Sequence, residues 1–176
     1  CTTYFSNIPI PDLIFRFYPI LFSLGLGIGT YYLSLNLFKS KLAAVFGLYF
    51  VYFSGSFGWI VEYIRVRHLG GESAFWANQS ISFNLNPPFA VSILIVIAIL
   101  LLLPSLKSKM SISTLTILAG TLISFKAYAA ILILLSLLLV GIFIRNLHYI
   151  ILFFLSLVLS ATLFISNFSI GEKLII

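Results

Sequence analysis

Apolar residues run along this chain in blocks of about twenty, separated by short groups of charges, prolines or polar residues. A helix needs about 20 mostly apolar residues to cross a hydrocarbon core of about 30 Å, so the blocks predict spanning helices. Tyr18 to Phe38 is the first, closed by Lys39 and Lys41, and residues 42–64 are the second, closed by Arg65, Arg67 and His68. Residues 89–106 form the third, opened by Pro87 and Pro88 and ended by Lys107 and Lys109. Proline suits a first helical turn because the donor it lacks has no partner there. Residues 112–125 and 127–144 are divided only by Lys126, and residues 147–166 are the last block. As one helix, residues 112–144 would be about 50 Å long at 1.5 Å per residue, far beyond the core, so a break near Lys126 is expected. The predicted fold is all-α: a polytopic integral membrane helical bundle of about six transmembrane segments, or five if those two runs are continuous. Residues 1–176 read as a single transmembrane domain, with residues 65–88 a loop outside the bilayer.

Composition narrows the class further. Of the 176 residues, 61% are hydrophobic and 8% charged, and the mean hydropathy is +1.18, which excludes an ordinary soluble globule. The net charge of +6 comes from ten basic residues scattered singly or in pairs, without the stripe or cluster that a nucleic-acid partner requires. Cys1 is the single cysteine, so there is no internal disulfide and no cysteine-based metal cluster. With Cys rather than Met at position 1 and no signal-peptide pattern, the expectation is a piece of a longer chain.

The charges also predict an orientation. Across alternating segments, one side of the membrane receives Lys39, Lys41, Lys107, Lys109 and Arg145 and no acid. The other receives Arg16, Arg65, Arg67, Lys126 and Lys173 with Asp12, Glu62, Glu72 and Glu172. The excess of Lys and Arg marks the first side as cytoplasmic, which places residues 65–88 on the outer face.

Candidate chemistry is confined to a few places. The loop RVRHLGGESAFWANQSISFNLNPP interleaves aromatic and polar groups. Phe75, Gln79 and Phe83 recur at helical steps beside a strip of Trp76 and Ser80, as in a short interfacial helix hinged at Gly70 and Gly71. An aromatic belt that anchors a loop at headgroup level is the other reading. Arg65, Arg67 and His68 bring positive charge near Glu72, a candidate base or metal ligand, and arginine suits phosphate recognition. Simple headgroup contact would also account for the two arginines. Lys126, in SFKAYAA, either snorkels at a helix junction or lines a polar cavity, where it and the Tyr128 hydroxyl would meet an anionic lipid phosphate or a carboxylate.

Small residues elsewhere read as packing. Gly25, Gly27 and Gly29 lie within a span, where a dinucleotide fingerprint has no strand to precede it, and residues 54–58 (SGSFG) are a further small-residue stretch. His148 reads as interfacial. No set of metal-ligand spacing, Walker loop, Ser-His-Asp ordering or nucleotide fingerprint occurs.

The succession of a Gly-rich first span, SGSFGWI at 54–60, GESAFWANQS at 71–80, NPPFAVS at 86–92 and SFKAYAA at 124–130 resembles the multi-spanning membrane glycosyltransferases of the GT-C superfamily. It is most similar to bacterial members of the dolichyl-phosphate-mannose and aminoarabinose transferase group. The resemblance implies an inner-membrane enzyme that takes a sugar from a polyprenyl-phosphate donor at the non-cytoplasmic face and passes it to an acceptor. It also implies an acidic base and basic groups, in some members with a divalent metal, that stabilise the departing lipid phosphate. The family's catalytic aspartate follows its first helix. Here only Asp12 is nearby, and its context IPIPDLIFRF departs from the family pattern, so no base role attaches to it. Chemistry and sidedness instead single out Glu72 as the candidate base, and Arg65, Arg67, His68, Trp76, Gln79, Lys126 and Tyr128 as candidates for substrate binding. A transporter or flippase subunit, with polar groups at the bilayer midplane, is the alternative from another class, and an assembly subunit whose outer loop binds a partner is a third.

Overall fold

In the computed structural model, residues 12–53, 60, 63–65, 67, 86–106 and 108–173 are described. Among these, 92% are helical and none forms a strand. A π-helical turn over Leu13–Phe17 leads into α1 (Tyr18–Phe38), followed by α2 (Lys41–Phe53) and α3 (Pro87–Leu102). A 3-10 turn over Leu103–Ser105 precedes α4 (Lys109–Thr121), and a second over Leu122–Ser124 precedes α5 (Ala127–Ile144) and α6 (Leu147–Lys173).

Four stretches are long and apolar enough to cross a membrane: Tyr18–Phe38, Pro87–Ser105, Ala127–Ile144 and Leu147–Ile165. Their mean hydropathies of 1.4, 2.6, 2.8 and 2.2 make this a helical integral membrane protein. The first and third of these have the bounds the sequence predicts. Two expected spans are shorter in the described residues. Helix α2 has 13 residues, about 20 Å at 1.5 Å each, and the segment that would lengthen it, including the SGSFG stretch, lies outside the described residues. Helix α4 also has 13 residues, because the chain tightens into the 3-10 turn and breaks at Lys126, as the length argument requires.

The chain divides into two compact units, residues 1–94 and 95–176. In the first, α1 and α2 form a hairpin through a two-residue turn. Lys39 takes a left-handed backbone (φ 53°), its N–H donates to the Leu35 carbonyl at 2.9 Å, and the Ser40 hydroxyl accepts from the Ala43 N–H at 3.4 Å. Small residues let the two helices approach. Leu26, Gly27, Ser34 and Ala44 are buried, and a methyl group added at Gly47 would collide with the Ser34 hydroxyl. At Gly27 it would meet the Tyr52 hydroxyl, which donates to the Ser23 carbonyl. The start of α3 belongs to this unit, with Leu94 Cδ2 within 3.2 Å of where a Gly25 side chain would begin.

The second unit has a continuous apolar core of Ile99, Leu106, Leu115, Ala119, Leu137 and Leu152. Helices α4 and α6 run parallel, since Leu115 packs with Leu152 in that core and, further along, the Ser160 hydroxyl donates to the Gly120 carbonyl at 3.1 Å. Helix α5 returns against α6, which it joins by the turn Arg145-Asn146. Arg145 is left-handed (φ 53°), the Asn146 N–H donates to the Gly141 carbonyl at 3.1 Å, and the Asn146 side chain accepts from the His148 N–H at 3.0 Å.

Candidate functional site

Lys126 occupies the break between α4 and α5. The Phe125 and Lys126 N–H groups both donate to the Leu122 carbonyl, at 3.1 and 3.0 Å, which closes the 3-10 turn. Lys126 itself is extended (φ −150°, ψ 109°) and caps α5, its carbonyl accepting from the Ala130 N–H at 3.2 Å. Tyr128 follows in the first turn of α5 and is half exposed.

The level of this junction follows from the parallel packing of α4 and α6. Gly120 pairs with Ser160, so the same register carried forward puts Phe125 and Lys126 about level with Ile165 and Ser166. In sequence the apolar run of α6 gives way to Ser166-Asn167 at that level. Lys126 is half-buried there, which suits both the snorkelling and the cavity-lining readings. Among the described residues its ammonium has no ion-pair partner. The ion pair that is seen joins Arg16 to Asp12 at 3.2 Å, one helical turn apart and largely exposed.

Arg65 is helical and exposed. Arg67, also exposed, adopts a left-handed backbone (φ 56°) while its N–H donates to the Tyr63 carbonyl at 2.9 Å, so the helix stops there. His68, Glu72, Trp76 and Gln79 lie outside the described residues. Lys126 and Tyr128 both lie at the start of α5, with no hydrogen bond between them, whereas Arg65 and Arg67 belong to the other compact unit. Among the described residues there is no group of three or more His, Cys, Asp or Glu able to hold a metal ion.

Two cavities were not anticipated from the sequence. An open groove of about 450 Å³ along the α1–α2 hairpin is lined by Leu24, Gly27, Ile28, Tyr31, Tyr32, Leu48 and Tyr52. The signal for it was three tyrosines inside apolar blocks, where phenol hydroxyls need partners. A smaller apolar cleft of about 130 Å³ in the second unit is lined by Ile99, Leu100, Leu103, Ile133, Ser136, Leu137, Val140 and Tyr149. Nearby in that unit, the Thr116 and Ser156 hydroxyls are buried with no hydrogen-bond partner among the described residues.

Fold and boundary chemistry together define a helical integral membrane protein whose cations sit at the ends of its helices. No protein-family model matches the chain, and no curated protein or solved structure is significantly similar to it.

Proposed function

We propose that this chain is, or forms part of, a membrane glycosyltransferase resembling the GT-C superfamily, which transfers a sugar from a polyprenyl-phosphate donor to an acceptor at the non-cytoplasmic face of a bacterial inner membrane. The observation that supports it is the position of Lys126 and Tyr128 at the start of α5, level with the end of the apolar run of α6. A polyprenyl carrier keeps its chain in the bilayer and its phosphate at headgroup level, where a lysine compensates the charge that grows on the phosphate as the sugar leaves. In this reading α2 and α4 also cross the membrane, giving six segments. Arg65, Arg67, His68 and the loop to residue 88 then share the outer face with Lys126. Glu72 accepts the acceptor's hydroxyl proton, the freed oxygen attacks the anomeric carbon, and the bond to the lipid phosphate breaks. Trp76 and Gln79 contribute to holding the sugar.

The purified protein in nanodiscs, supplied with radiolabelled polyprenyl-phosphate sugars, tests this. Transfer that falls at least tenfold in Lys126→Ala and Arg65→Ala, with insertion unchanged, is the expected result. Absence of both donor binding and transfer overturns the reading. The tyrosine-lined groove of the α1–α2 hairpin favours the alternative of a transporter or flippase subunit, which lipid translocation without sugar transfer would establish.

A further inference from the structure

The basic residues at the opposite end of the second unit have no part in that proposal. Lys109 begins α4, Arg145 ends α5 and His148 lies in the first turn of α6. Because α4 and α6 are parallel and α5 runs back against α6, these three positions share one end of the unit. Lys107 adjoins them in sequence, two residues before Lys109. The one acid in the sequence of this unit, Glu172, lies at the far end of α6, so no acid adjoins this end in sequence. Arg145 and His148 are exposed, and Arg145 has no ion-pair partner among the described residues. The apolar spans that stop here put the charges at headgroup depth, where anionic lipids attract each Lys or Arg by about 1 kcal/mol.

A second, independent feature opens beside this end. Leu103 in the turn after α3, Val140 in the last turns of α5 and Tyr149 at the start of α6 form the near part of the 130 Å³ cleft, while Ile133 and Leu137 on α5 line its deeper part. The cleft therefore runs inward from the cationic end, is almost wholly apolar, and has room for a stretch of hydrocarbon chain. Cations at headgroup depth above an apolar slot match one amphiphile, with an anionic phosphate at one end and an acyl chain at the other.

We propose that this end of the second unit is a binding site for an anionic glycerophospholipid, whose phosphate meets Arg145 at the α5–α6 turn beside the basic start of α4, and whose acyl chain enters the cleft between α3 and α5. The site is independent of the glycosyltransferase reading and faces the other side of the membrane from Lys126. The test is native mass spectrometry of the protein released from nanodiscs that hold phosphatidylglycerol and phosphatidylcholine in equal amounts with identical chains. The unmodified protein is expected to retain phosphatidylglycerol at least fivefold over phosphatidylcholine. Arg145→Asn keeps the left-handed turn, which asparagine tolerates, and is expected to abolish most of the preference, as is Lys107→Gln with Lys109→Gln. Val140→Phe, which fills the cleft without changing charge, is expected to lower the number of retained lipids. Equal retention of the two lipids by the unmodified protein overturns the proposal, and so does a preference that survives both charge variants. Displacement of phosphatidylglycerol by an added polyprenyl phosphate overturns its assignment to a glycerophospholipid.

Discussion

The two compact units hold themselves together in different ways. In the α1–α2 hairpin the contact is made by small residues and hydroxyls: Gly27, Ser34, Ala44 and Gly47 bring the backbones close, and the Tyr52 phenol ties α2 to the Ser23 carbonyl. The second unit instead interlocks large aliphatic side chains, Ile99, Leu106, Leu115, Leu137 and Leu152, with close approaches at Gly120 on α4 and Gly141 on α5. Surrounding lipid is as apolar as leucine, so neither unit gains by withdrawing hydrocarbon from water. What remains is dispersion, which rewards fit, and hydrogen bonding. The comparison teaches that both solutions are packing solutions, one through backbone proximity and one through side-chain volume.

Five substitutions separate them, each followed by SDS titration in mixed micelles with hydrogen exchange to locate the loss. Gly120→Leu has the largest effect, because even its first carbon would lie 2.8 Å from Leu159 Cβ on the facing helix. A loss of about 3 kcal/mol, confined to α4–α6, is expected, and normal exchange there would show that the helices separate freely. Leu115→Ala follows, at about 2 kcal/mol: the low end of the range for soluble cores, since only packing and no water transfer is lost. A hairpin that loosened equally would refute the independence of the two units. Gly47→Ala costs about 1 kcal/mol, as the Ser34 hydroxyl can rotate away from the new methyl. Its effect belongs to α1–α2 alone. Ser160→Ala and Tyr52→Phe each remove one interhelical hydrogen bond, worth about 0.6 kcal/mol in a membrane, and a cost several times larger for Tyr52→Phe alone would mark the hairpin as held mainly by that phenol.

Much of this architecture is legible in the sequence, for a physical reason. Span limits are set by transfer of side chains into lipid, a property of each residue, and so Tyr18–Phe38 and Ala127–Ile144 emerge with their observed bounds and the break falls at Lys126. Helix pairing is a property of shapes that meet. Nothing in the composition of α4 reveals that Gly120 accepts Ser160, although the segment itself, residues 112–125, is visible in the apolar pattern. The candidate site divides along the same line. The oddity of Lys126 is visible in the sequence, but its level along α6 follows from the register of α4 against α6, and the hydrophobic pattern contains no such register. The tyrosine groove went unnoticed because a phenol inside an apolar block counts as hydrophobic until its hydroxyl is seen to bridge two helices.

The turns at Lys39-Ser40 and Arg145-Asn146 are two residues long, each with a left-handed cation at its first position. Connections this short leave no slack for one helix to enter the bilayer and wait for the next. During synthesis α1 with α2, and α5 with α6, must partition from the translocon as closed pairs. The cation at each bend resists entry into hydrocarbon, so the turn that closes each hairpin also keeps its apex out of the apolar layer.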